Sequence, residues 1–539
     1  MRAFSKKTKM AALPVSVEVA SWITFAAAFV VTLIFSTWYI LGYRYKRHSE
    51  CSSTFTAILA LSVSFLTVLI GPIDVFLVSF MKNDDGEFKD WAESNVTRHH
   101  IQETVLYCYY ALYGCLTLFV FLIIPFVYFY YEEQDENTNI KSRMCGALKY
   151  TACFIFVAVV LLVIGAFVPL KKPPTTNSTS FENDLAFLAN ELRDTRGETA
   201  LYFTVGFLTL IGFICLVFYT GFGMVTFPAD LIKGRKSTAV ELDDVRSATE
   251  RSRQRRRAIR RKYKDKDDRL STRDRSRIDS LQDQEELLKR KERHLEDLQH
   301  RCCSKCSFLW RPFEIIFGVV GCLMALLIFT SLLLTSLDRA LHSLGLKTGY
   351  ILPERHLPNP IDMLLLFSQQ VFPLDYIIFA AIILYLFLAS IAGIERIGIW
   401  FCCVKMYKIR ATHTKPQALL FLCMILIFTV LAINTMMYTL APEYMSYGNQ
   451  KYIAINNSTE QCTTYEPEDC VMTIAASLLT TSVFMLWYFG AVYYWANWAF
   501  LAMVLIGLLV ALFKKRRSAI EGEVDSDDTD DSDDELLHV

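Results

Sequence analysis

The stretch ALLFLCMILIFTVLAINTMMYTL (Ala418–Leu440) runs twenty-three residues without a charged side chain. As a helix it would rise about 34 Å, enough to cross the roughly 30 Å hydrocarbon layer of a bilayer. Its apolar residues form one block and do not alternate, which excludes a half-buried strand. Blocks of this kind recur along the chain, 53% of which is apolar, and they predict an all-α, polytopic integral membrane protein.

Nine spans are predicted: Val17–Gly42, Phe55–Phe80, Thr104–Tyr131, Leu148–Leu170, Ala200–Phe227, Pro312–Leu337, Pro373–Ala392, Ala418–Leu440 and Phe484–Phe513. The stretch IDMLLLFSQQVFPLDY (Ile361–Tyr376) is apolar but broken by Gln369, Gln370 and Pro373, and reads as a re-entrant or interfacial piece leading into span seven. The block Val471–Phe513 is longer than one span needs, and its first part reads as an interfacial helix, with two short spans as the alternative. The expected organisation is an N-terminal segment (1–16), spans one to five (17–227), a basic loop (228–311), spans six to nine (312–513) and an acidic disordered tail (514–539).

Two markers orient the spans. Asparagine sequons at Asn95, Asn177, Asn456 and Asn457 fall in the loops after spans two, four and eight, all on one face, which is expected to be lumenal. Lys and Arg crowd the other face: Arg44, Lys46 and Arg47; Lys141, Arg143 and Lys149; Lys405, Lys408, Arg410 and Lys415; and Lys514–Arg517. The N-terminus is therefore expected in the lumen and the C-terminus in the cytosol. Arg2, Lys6, Lys7 and Lys9 oppose this placement, and translation starting at Met10 would remove the conflict. Of fifteen cysteines only Cys462 and Cys470, eight residues apart, fall in a large lumenal loop, where a disulfide is expected over two free thiols.

Motifs for catalysis are missing. The chain has no phosphate loop ending in Lys-Ser/Thr, no zinc-protease helix, no nucleophile elbow and no kinase set, so the reading is a non-enzyme with no bound metal or cofactor. Cys302, Cys303 and Cys306 lie just before span six and are palmitoylation candidates, or simply thiols near a helix end. Charges within spans sit at their ends: Glu18, Asp74 and Asp375 on the lumenal side, Glu314, Glu395 and Arg396 on the cytosolic side. A lone Asn434 near a span centre reads as a bond to a neighbouring helix.

The loop Lys233–Lys305 holds 24 Lys/Arg against 15 Asp/Glu, a net of +9, concentrated in RSRQRRRAIRRKYK (Arg251–Lys264). Such density suits anionic membrane lipids or reflects the positive-inside rule alone, and the spans argue against a nucleic-acid partner. Leu281, Leu288 and Leu295 recur every seven residues and predict a helical hairpin or coiled-coil seam.

Long strings across the chain carry a family resemblance: VFLVSFMKNDDGEFKDWAESNVT (Val75–Thr97), IPFVYFYYEE, GAFVPL, SLDRALHSLG, VFPLDYI, GIWF, KPQALLFLCMIL and NWAFL. They resemble the limb-region-1-like membrane proteins, in the branch that serves lysosomal cobalamin transport. The resemblance implies nine spans and a large loop between spans five and six. It also implies a role as escort for a lysosomal ABC-type cobalamin transporter, with cobalamin (vitamin B12) as cargo passed to a cytosolic cobalamin-processing chaperone. A second role as adaptor for clathrin-mediated insulin-receptor endocytosis is implied too, with passage through the endoplasmic reticulum and plasma membrane on the way to lysosomes.

The chain ends DSDDTDDSDDELLHV, which resembles the acidic-cluster dileucine signals of mannose-6-phosphate receptors. Asp533 takes the acidic position and Leu536 and Leu537 the apolar ones, a pattern that Golgi-localised clathrin adaptors read as an extended peptide. Ser526, Thr529 and Ser532 precede acids and are phosphorylation candidates. Two alternatives to the escort stand: an endocytic receptor for a lipocalin-like ligand, and a cobalamin transporter in its own right.

Overall fold

The computed structural model describes residues 15–44, 51–83, 85–133, 140–167, 196–234, 238–264, 272–300, 303–346, 349–350, 352, 355–401, 404–409, 414–453, 459–462, 470–480 and 487–513. Nine helices among them are long and apolar enough to cross a membrane. In chain order the helices are α1 (Val15–Tyr43), α2 (Cys51–Ser79), α3 (Asn95–Glu132), α4 (Ile140–Phe167), α5 (Ala200–Lys233), α6 (Thr238–Lys264), α7 (Thr272–His300), α8 (Cys303–His342), α9 (Pro360–Ser368), α10 (Leu374–Ile397), α11 (Pro416–Leu440), α12 (Pro442–Tyr447), α13 (Ile474–Leu479) and α14 (Trp487–Phe513). Two small antiparallel hairpins join them: β1 (Ile399–Phe401) with β2 (Val404–Tyr407), and β3 (Lys451–Ile453) with β4 (Thr459–Gln461).

The chain forms two compact units. The first comprises residues 1–225 and 324–508, the second 226–323 and 509–539. In the first, α11 is apolar all round and buried almost throughout, as the central helix of a bundle must be. It packs against α2 and α5, and Asn434 Nδ2 donates to the carbonyl of Thr67 on α2 at 3.2 Å. Helix α4 leaves Phe156, Val157, Val160 and Val163 exposed, an apolar face suited to lipid.

Helices α5 and α10 approach so closely that only glycine fits at two crossing points. A Cβ on Gly223 would meet the carbonyl oxygen of Ala389, and one on Gly393 the carbonyl oxygen of Tyr219. Small residues let backbones touch where the lipid supplies no hydrophobic drive between helices. Beside this crossing α5 passes through a π turn, Leu216–Thr220, and Thr220 Oγ1 lies 2.7 Å from Ser390 Oγ. A second π turn, Phe119–Ile123 in α3, precedes Pro125, whose missing N–H interrupts the helical ladder there.

Within the second unit α6 and α7 pair as a hairpin. Leu242, Val245 and Leu295 form its buried seam, with Leu288 packed against them. Leu281 sits at the same edge, where its carbonyl accepts from Ser252 Oγ at 3.3 Å. Buried Glu285 receives Arg253 Nε at 2.7 Å and Arg256 Nη2 at 2.9 Å, which turns two of the arginines inward. Arg251, Arg255, Arg257, Arg260 and Arg261 remain exposed. Arg311 on α8 closes the C-terminus of α5, donating to the carbonyls of Leu231 at 3.0 Å and Ile232 at 2.6 Å.

Two stretches break into shorter elements. The Ile361–Tyr376 segment is the short helix α9, a turn through Gln369–Pro373, and then α10. The Val471–Phe513 block opens with the six-residue α13 and closes with the long α14. Several helices run past their expected apolar limits: α3 begins at Asn95 and α8 continues to His342. Their extra turns carry polar residues, which need no hydrocarbon around them.

Candidate functional site

One set of polar groups of the first unit lies at the end of the bundle that carries Asn95 and the Cys462–Cys470 pair. Several are placed by helix termini. Asn359 caps α9: its Oδ1 accepts the N–H of Ile361 at 3.1 Å and the hydroxyl of Ser331, and Pro360 occupies the first helical position. Asn359 Nδ2 in turn donates to Asp362 Oδ2 at 3.2 Å and to the Leu440 carbonyl at 2.5 Å, tying α9 to the end of α11.

Three buried carboxylates are each held differently. Asp74, near the end of α2, accepts the N–H of Ala475 at 2.8 Å and so serves the orphan amides at the start of α13. Asp375, in the first turn of α10, accepts the Tyr444 hydroxyl at 3.0 Å and Asn449 Nδ2 at 3.4 Å. Asp362 accepts the Tyr444 N–H at 3.4 Å and faces Arg355 Nη1 at 3.7 Å. Burial outweighs that guanidinium and pushes the Asp362 carboxyl up to about 7, with Glu443 adding to the rise. Burial and the neighbouring Asp375 raise the Tyr444 hydroxyl well above its ordinary value, so it acts as a donor.

A fourth carboxylate, Asp338, lies on the last turns of α8 and is buried. His342 Nδ1 is 2.8 Å from its Oδ1, and the N–H groups of His356 and Leu357 donate to its Oδ2 at 3.2 and 3.4 Å. The rings of His342 and His356 stack with centroids 4.1 Å apart.

Above the carboxylates the β3–β4 hairpin is pinned by buried Gln450. Its carbonyl accepts from the Cys462 N–H at 3.0 Å, and its side chain bonds both the N–H and the carbonyl of Val471, at 3.0 and 2.7 Å. Cys462 and Cys470 are joined, with Cα atoms 6.1 Å apart.

The residues singled out in the sequence fall unevenly. Asn95 is exposed at the start of α3, with Oδ1 against Arg98. Asp74 and Asp375 belong to the buried cluster, while Glu395 accepts the Tyr39 hydroxyl at 2.8 Å and Glu314 pairs with Arg311 at 2.9 Å. Cys303 and Cys306 lie in the first turn of α8. Asn177, Asn456, Asn457, Cys302, Ser526, Thr529, Ser532, Asp533, Leu536 and Leu537 lie outside the described residues, as does Met10. Asp338, His342, His356, Asn359, Asp362, Tyr444 and Asn449 were not anticipated. Two local signals point to them: the Asn-Pro pair ahead of an apolar run, and the four-residue spacing of Asp338 and His342.

Comparison with known proteins agrees with this architecture. The family described as LMBR1-like membrane protein matches residues 21–315. The chain is 45% identical over 540 residues to the "Lysosomal cobalamin transport escort protein LMBD1" of Danio rerio, covering 97% of this chain and 98% of that one. The protein of the same name in Gallus gallus is 46% identical over 527 residues, with 96% and 97% covered. A "Probable lysosomal cobalamin transporter" of Nematostella vectensis is 43% identical over 546 residues, with 97% and 99% covered. No solved structure matches the chain.

Proposed function

The chain belongs to the LMBR1-like membrane protein family, and on that premise we propose that it acts in the export of cobalamin from lysosomes, as a membrane escort for a cobalamin transporter. The observation that carries this reading is the collinear identity of 45–46% with relatives named for that role, across nearly the whole of both chains. The matched length takes in the α6–α7 hairpin as well as the spans.

In this reading the sequon-bearing end faces the lumen and the α6–α7 hairpin faces the cytosol. The partner is a lysosomal ABC-type cobalamin transporter, and released cobalamin passes to a cytosolic processing chaperone. The tail supplies the address: Asp533, Leu536 and Leu537 offer one carboxylate and two apolar side chains to a clathrin adaptor, the chemistry of an extended sorting peptide. The route to the lysosomal membrane runs through the endoplasmic reticulum and the plasma membrane, where capture of the insulin receptor is a further expected task. The role needs no catalytic group, since an escort works by binding.

Transporter location tests the escort reading. In cells lacking the chain, the ABC-type transporter should stay in the endoplasmic reticulum and reach lysosomes again on re-expression. A transporter already lysosomal without the chain contradicts the escort.

A second reading, transport by the chain itself, draws on the name of the Nematostella relative and on the buried carboxylates Asp74 and Asp375 at the ends of spans. Proteoliposomes holding only this chain decide it: cobalamin uptake without a partner would replace the escort reading.

A further inference from the structure

Helix α8 continues beyond its apolar stretch for a reason that the escort role does not supply. Its last turns place Asp338 and His342 four residues apart, one above the other on a single face. The chain then turns back so that the His356 and Leu357 amides hold Asp338 Oδ2, at 3.2 and 3.4 Å, leaving Oδ1 directed at His342 Nδ1, 2.8 Å away. The same turn lays the His356 ring on the His342 ring. One ligand atom from each of the three side chains lies within 4.8 Å of the other two.

We propose that Asp338, His342 and His356 form a binding site for a divalent transition-metal ion of the zinc class. The donor set decides the class of ion. Two imidazoles and one carboxylate suit zinc and its neighbours, whereas calcium and magnesium take oxygen ligands almost exclusively. Three protein ligands leave a fourth position for water or an exchanging group.

The geometry needs little adjustment. Bonds of roughly 2.0–2.2 Å set the ligand atoms of a tetrahedral site about 3.3 Å apart, so the His342–Asp338 pair opens by about half an ångström. The wider separations close by rotation of the imidazoles, both of which are exposed. The carboxylate is already oriented by its two amide donors, the outer-shell support that metal ligands commonly have. The arginines next to these ligands in the chain have other partners: Arg339 lies over the Tyr493 ring, 5.7 Å from its centroid, and Arg355 faces Asp362. When His342 ligates through Nδ1 its ring proton sits on Nε2, and the metal replaces the His342 Nδ1–Asp338 Oδ1 hydrogen bond.

The test uses the full chain purified in detergent without a polyhistidine tag. Zn²⁺ is titrated in competition with a chromogenic chelator, and Ca²⁺ and Mg²⁺ are added as competitors. His342→Gln and His356→Gln alter exposed rings, and thermal unfolding of each checks that the fold is kept. Expected is one zinc per chain, a Kd raised about tenfold or more in each variant, and no displacement by calcium or magnesium. Zinc binding by the wild type no tighter than by a His342→Gln/His356→Gln double variant, or a Kd unchanged in either single variant, overturns the proposal.

Discussion

The Tyr444 hydroxyl donates to Asp375 Oδ2 at 3.0 Å, joining the short helix α12 to the first turn of the membrane-spanning α10. The N–H of the same tyrosine reaches Asp362 on α9 at 3.4 Å. One residue thus bridges two carboxylates that sit on different elements. Both are buried, so each depends on its few donors to offset the loss of water.

Tyr444→Phe should therefore destabilise the protein by about 1–3 kcal/mol, because it strips a donor from a buried acceptor while keeping the ring. Thermal unfolding in detergent checks this. Asp375→Asn combined with Tyr444→Phe should cost less than the sum of the two single changes, since the amide no longer presents an unpaired carboxylate.

Stability should depend on pH through Asp362. Its carboxyl is raised to about 7 in the fold, whereas in the unfolded chain it titrates near 4. Between those values the folded state holds a proton that the unfolded state has lost. The stabilisation is therefore fully present at acid pH and disappears as pH rises through 7. The melting temperature should fall between pH 5 and pH 8, and Asp362→Asn should flatten that slope.

Gly393→Ala should reduce the yield of folded protein several-fold, because the new Cβ would run into the Tyr219 carbonyl oxygen on α5. Size-exclusion chromatography after detergent extraction reads this directly. Gly114→Ala is the control: a Cβ there meets nothing within 4 Å, and its profile should match wild type.

Glu285→Ala should loosen the α6–α7 hairpin by leaving Arg253 and Arg256 without their shared carboxylate. Limited trypsin digestion is expected to cut within Arg251–Lys264 faster than in wild type, while the spans stay intact.

Much of this fold was legible because a membrane span is a local property. Twenty-odd apolar residues such as Ala418–Leu440 declare a helix without help from the rest of the chain. The hairpin was also visible, since Leu288 and Leu295 keep their heptad spacing and do meet in its seam. Helix ends were less legible. The turn from Asp338 to His342 is charged, and hydropathy stops at Leu337 although the backbone continues. The buried cluster was out of reach for a different reason. Asp74, Asp362, Asp375 and Tyr444 are separated by up to several hundred residues, and only the packing of α2, α9, α10 and α12 brings them together. Asp74 and Asp375 could be placed at span ends, but nothing in the order of residues revealed that Tyr444 would serve one of them.

The most direct measurement follows labelled cobalamin in cells that lack the chain, rescued with wild type or with Leu536→Ala/Leu537→Ala. Wild type is expected to move label from lysosomes to cytosol and to restore the transporter to lysosomes, while the double variant fails at both. Cobalamin distributed normally in the cells that lack the chain would contradict the role in export.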